Sequence, residues 1–153
     1  MKNLLVISLL FFTIAGTAQR RYKNITERDG KIGIGTKTPD ELLTVKGKIH
    51  TREVIVDLKG AVAPDYVFEH YFEGESVLQP EYSLPTLTEV EAFIKEYHHL
   101  PSVPSAAKLQ EEGMALKEMN LILLQKVEEL TLYTLEQQKE IEKLKARLEA
   151  IEN

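Results

Sequence analysis

Several groups of residues carry side chains that could do chemistry. His98 and His99 supply two imidazoles and invite a metal reading. Neighbouring helical positions point about 100° apart, so the pair cannot converge on one ion, and no histidine stands at a ligand spacing such as i+4. A place at a helix C-terminus, where a partly cationic imidazole is favoured, explains them better. Gly30 and Gly35 have the spacing of a phosphate loop. Thr36 stands where lysine is needed, however, and Pro39 where a helix should begin, so glycines of a tight β segment are the better reading. Asp40, Glu41, Asp57, Asp65 and Glu69 supply carboxylates without a spacing that brings two onto one substrate. Ser102 and Ser105 lie near the histidines, but nearness in sequence is no triad, and Ser105 is placed to cap a helix. Cysteine is absent, which excludes a thiolate metal site, a disulfide framework, a cysteine nucleophile and a lipid-modified cysteine. No catalytic, cofactor-binding or metal-binding residue is assigned, and the expectation is a protein that is not an enzyme and takes no cofactor. Tyr66, Phe68, Tyr71 and Phe72 form an aromatic cluster. Core packing is its default role, and a contact surface for a glycan or protein is the alternative.

The net charge of −5 argues against a general nucleic-acid-binding surface. At the N-terminus Lys2, the apolar run Leu4 to Ile14 and the small residues Ala15 to Ala18 read as a secretory signal, residues 1–18, cleaved after Ala18. The run is shorter than the about 20 residues of a bilayer span, which leaves an uncleaved anchor as the lesser alternative. Export to the surface or medium, or to a periplasm, is the expected destination. Loss of Lys2 with the signal leaves 18 basic against 24 acidic residues, a balance of −6.

The pattern predicts an α+β chain. Residues 19–29 are polar, without periodicity, and read as a flexible lead-in. Residues 30–72 carry the β character: Ile32 and Ile34 alternate with glycines, then Leu43, Val45 and Ile49, then a strand over Thr51 to Leu58 and a short one at Val67 and Phe68. Residues 73–114 read as a loop and helical connector. In it a helix starts at Leu87 with Thr88 and Glu91 as a capping box, Val90, Phe93, Ile94 and Tyr97 share one face, and Pro101 and Pro104 end it. Ser105 then caps a short helix that stops near Gly113. Nothing breaks a helix over residues 115–153.

That final stretch holds a heptad pattern. With Val127 at position a, the a series is Asn120, Val127, Thr134, Ile141 and Leu148, and the d series is Leu116, Leu123, Leu130, Gln137, Leu144 and Ile151. A seam sustained over roughly five heptads predicts a coiled coil about 50 Å long; the alternative is an amphipathic helix packed on its own domain. In a parallel pair each g residue faces the following e residue of its neighbour. Glu140 then meets Lys145 and Arg147 meets Glu152, so identical chains fit parallel and in register. Asn120, Thr134 and Gln137 place polar groups in the seam, which cost stability and fix register. Val127 at a with Leu130 at d suits a dimer, whereas Met119 at g and Leu124 at e widen the apolar face toward a trimer.

Gly33-Ile34-Gly35-Thr36-Lys37-Thr38-Pro39, followed by Leu43-Thr44-Val45-Lys46-Gly47, resembles the repeated unit of trimeric bacterial and phage tail-fibre shafts. Arg52-Glu53-Val54, Pro64 through Phe68, His99-Leu100-Pro101, Met119-Asn120 and Glu128 through Tyr133 are similar to the C-terminal region of exported tail-fibre-like proteins of bacteria. The resemblance implies a homotrimeric, largely structural product that ends in a coiled coil. The chain departs from the pattern in having one shaft unit and an insertion-like stretch over Gly74 to Pro80. It also lacks a Ser-Asp pair, so self-cleavage is not carried over. The expected function is that of a structural, self-assembling protein whose partner is itself, with no nucleic acid and no stable membrane span. A cell-surface adhesin that binds through Tyr66–Phe72 is the competing reading.

Overall fold

A computed structural model of the chain describes residues 24–152, so the expected signal and the first residues of the lead-in lie outside the described residues. The chain divides between Val54 and Ile55 into two compact units. The α+β expectation is met, among the described residues, by a small sheet and four helices.

In the first unit, β1 (Ile25–Arg28) pairs antiparallel with β2 (Lys31–Ile34), and β2 pairs parallel with β3 (Leu43–Val45). The lead-in expected to run to residue 29 is thus corrected, because its second half is a strand. The cause is the Asp29-Gly30 turn, with φ of 53° and 75°. Two consecutive positive-φ residues make the tight hairpin whose twist matches that of the strands. The glycines of the shaft-like unit have steric reasons. A Cβ on Gly33 would sit 2.6 Å from the Thr36 carbonyl oxygen, and one on Gly35 (φ 75°) would sit 2.9 Å from that of Lys46. Thr44 closes the connection between β2 and β3. Its buried hydroxyl donates to Asp40 Oδ1 at 2.6 Å and accepts from the backbone N–H groups of Asp40 and Glu41, both at 3.1 Å. This hydrogen bond is the main reason the Asp40 carboxyl titrates below the usual carboxylate range.

The register gathers Ile25, Ile32, Ile34, Leu43 and Val45 on one face of the sheet, with Glu27 opposite Ile32 as its one charged member. The first four of these are exposed. The expected strand over Thr51 to Leu58 is absent, and the boundary between the units falls inside that stretch. Val54 and Val56 alternate suitably, but the small sheet ends at β1 and β3, and no ladder forms with residues 51–58.

The second unit holds α1 (Tyr66–Glu73), α2 (Leu87–Tyr97), α3 (Ala106–Glu112) and α4 (Leu116–Glu152). The strand expected at Val67 and Phe68 is a helix. Pro64 and Asp65 open it through bonds from Val67 N–H and Glu69 N–H, and Gly74 closes it in the left-handed region at φ 87°. The α2 helix begins where expected but is capped two residues earlier. Thr86 Oγ1 accepts from Glu89 N–H at 3.2 Å while Glu89 Oε2 accepts from Thr86 N–H at 2.7 Å, so the box is Thr86 and Glu89, not Thr88 and Glu91. The cap of α3 is Ser105 and its stop is Gly113, both as expected. The α4 helix runs unbroken to the end of the described chain.

Among the described residues the fully or nearly buried apolar side chains are few: Val67, Leu132 and Tyr133, with Pro64 beside them. A core this small leaves most of the apolar surface facing water.

Candidate functional site

The α4 helix has two working faces. Toward its own unit it presents Gln125, Glu128, Glu129, Leu132 and Tyr133, which occupy heptad positions f, b, c, f and g. Leu132 is fully buried. Tyr66 of α1 donates from its hydroxyl to Gln125 Oε1 at 3.1 Å, and Tyr82 donates to Glu129 Oε1 at 3.3 Å. Tyr133 donates to the Pro85 carbonyl at 2.6 Å. The Tyr66 and Tyr82 rings meet edge to face, 5.0 Å apart. Burial is the leading cause that pushes all three phenols up, and for Tyr66 and Tyr82 the charge of Glu129 comes next. Tyr133 is pushed up to about 12 by burial and then by Glu129. All three therefore remain hydrogen-bond donors at neutral pH.

Glu129 is the centre of this face. It is 4% exposed and takes Lys126 Nζ at 2.8 and 2.9 Å and Gln125 Nε2 at 2.7 Å, besides Tyr82. Glu128, one residue earlier, is nearly as buried but has an oxygen without a hydrogen-bond partner. Burial first, and the charge of Asp65 second, raise its pKa. The folded state thus favours the protonated carboxyl, so ionised Glu128 costs stability above the folded pKa. We expect Glu128→Gln to stabilise the protein by about 1 kcal/mol at pH 7.5, the scale of an imperfectly satisfied buried polar group. The gain should fade as pH falls from the raised folded value to the ordinary glutamate range. Urea melts at several pH values check this; a gain that persists unchanged at pH 4 would contradict it.

Beside that face α4 presents the a/d seam, whose Leu123, Val127 and Leu130 look across a groove onto Leu87, Val90, Leu100 and Pro101. Leu116, Leu123, Val127, Leu130, Ile141, Leu144, Leu148 and Ile151 are each between 47 and 80% exposed. Asn120, Thr134 and Gln137 are exposed on the same stripe, and two of them are spent on the helix itself: Asn120 Nδ2 donates to the Leu116 carbonyl and Thr134 Oγ1 to that of Leu130. A helix packed on its own domain describes the b/c/f face, while Leu123, Val127 and Leu130 of the seam border the connector and stay exposed. That inner face escaped the periodicity argument because its contacts are made by Glu, Gln and Tyr, whose partners lie 47 to 59 residues away.

The remaining expected residues separate. Of the aromatic cluster, Tyr66 turns inward onto Tyr82 and Gln125, Phe68 is half-buried, and Tyr71 lies under Lys139 with the ammonium 5.7 Å from the ring centre. Phe72 stays 68% exposed beside Tyr71. His98 ends α2 with φ 59°, its N–H bound to the Ile94 carbonyl, and the His99 ring packs against Phe93. Ser105 accepts from Lys108 N–H, and Glu69 accepts from the Ser76 hydroxyl. The glycines of the phosphate-loop spacing build the hairpin and β2. Among the described residues no group of three His, Cys, Asp or Glu is arranged to hold a metal ion, and no helix is long and apolar enough to cross a membrane. No protein-family model, curated protein or solved structure matches this chain.

Proposed function

We propose that the protein is a structural, self-assembling homo-oligomer, exported and tail-fibre-like, in which α4 pairs parallel and in register with copies of itself. The observation that carries this reading is the a/d seam of α4, whose eight apolar residues all stay exposed. A stripe of leucine, isoleucine and valine over this length is stabilised only when another helix covers it. The apolar face of the β1–β2–β3 sheet is a second surface of the same kind, since a three-stranded sheet needs a covered face to be stable. The charges agree with a parallel register. Glu140 is held by Lys143 at 3.2 Å within its own helix, both are more than half exposed, and an exchange to Lys145 of a neighbour costs little.

A trimer is the assembly proposed. Met119 and Leu124 widen the apolar face, and two uncovered surfaces per chain leave more area than one partner helix covers. Sedimentation equilibrium of the mature protein at micromolar concentration should give three times the chain mass, and a monomeric mass would overturn the reading. A role in adhesion rests on Phe72, the member of the aromatic cluster left outward; a glycan array with the purified oligomer tests it.

A further inference from the structure

Between α2 and α4 lies an apolar groove of about 480 Å³. One side is the helix itself: Leu123, Lys126, Val127 and Leu130. These are successive d, g, a and d positions, the four residues that form the hole for an a-position knob of a parallel partner. The other side is a wall built by the connector: Leu87 and Val90 of α2, then Leu100 and Pro101. The wall extends the hole on its g flank.

We infer that this groove is a socket for a second copy of the chain, which inserts Val127 as the knob and lays the e flank of its own α4, Leu124 with Thr131, against the connector wall. The inference rests on the parallel assembly proposed above. It adds that the connector, and not only the seam, is an interface.

Three observations select this occupant. In the groove the g flank is already committed within the chain: Lys126 is paired with Glu129 at 12% side-chain exposure and Tyr133 is buried. No free charge is left there to meet a charged e residue. The e flank at this height is apolar or neutral and open, with Leu124 exposed. Farther along, where nothing of the connector lines the helix, the g and e positions turn into the complementary charges Glu140, Lys145 and Arg147. The change from neutral to charged flanks thus falls where the wall ends, as a neighbour seated in the groove requires.

Cross-linking between single-cysteine chains tests it, since the natural chain has no cysteine. Leu100→Cys and Leu124→Cys alter exposed side chains on opposite flanks, and Leu148→Cys alters an exposed a position near the helix end. Chains carrying Leu100→Cys and Leu124→Cys are mixed, co-assembled and treated with a short bismaleimide, then mapped by peptide mass. A 100–124 cross-link is expected, which must join two chains because each carries one cysteine. Leu148→Cys chains alone should cross-link to one another. A 148–148 product without a 100–124 product overturns the socket and leaves the seam standing. Absence of both overturns the assembly as well. A 100–124 product without 148–148 overturns the parallel register, and the inference with it.

Discussion

Leu130→Lys, and separately Ile141→Lys, should convert the assembly to monomers at micromolar concentration. Leu130 is 64% exposed in the single chain and becomes central in a closed seam. Its burial is worth about 1.5–3 kcal/mol per chain, and this is lost in every copy at once. The substitution also places one ammonium per chain at the axis, where like charges meet in low dielectric. We expect dissociation constants at least about a thousandfold weaker, since roughly 4 kcal/mol already amounts to that factor. The own-unit face of α4 is untouched, so the Tyr66–Gln125 and Tyr133–Pro85 bonds should persist. Far-ultraviolet dichroism would then show only a partial loss of helix, and sedimentation the fall in mass. Unchanged mass in both variants would show that the stripe is not an interface.

Glu129→Ala acts on the opposite face and should cost about 3–5 kcal/mol of stability, the range for removing one partner of a buried ion pair. The reason is what remains. Lys126 keeps its charge at 12% side-chain exposure with no carboxylate to meet it, and Tyr82 and Gln125 lose their shared acceptor. Against a total stability of about 5–15 kcal/mol this is enough to unfold much of the second unit near body temperature. Urea midpoints measure it. Adding Lys126→Met should restore much of the loss, because the orphaned charge is then gone; a double variant as unstable as the single one would assign the cost to Tyr82 and Gln125 instead.

What could be read in the sequence followed the range of each interaction. Local rules worked where the bond partners are three or four residues apart: Ser105 as a cap, Gly113 as a stop, and an unbroken helix from residue 116. They slipped by two residues at Thr86, because Thr86-x-x-Glu89 and Thr88-x-x-Glu91 overlap and only the observed bonds choose between them. The hairpin at Asp29-Gly30 was legible, being a strong turn dipeptide, but the polar composition of residues 19–29 hid its first strand. Alternation over Thr51 to Leu58 misled, since alternation describes a strand only when a ladder partner exists. The exposed stripe of α4 falls on the heptad assignment made from sequence. Its inner face, built from Glu129, Tyr82 and Tyr133, depends on contacts across the chain that no periodicity encodes.

In the proposed assembly the far end of α4 makes dilution act as a denaturant. Beyond Lys139, whose ammonium reaches Tyr71, every described side chain is exposed and the hydrogen bonds described there are helical neighbours. A helix end whose side chains face water frays readily even when the preceding turns nucleate it. In the proposed assembly its order is reinforced by other chains, so its protection from hydrogen exchange should follow protein concentration while that of Leu132 should not. The C-terminal turns would report on whether copies are present, and the residues around Glu129 on whether each copy is folded.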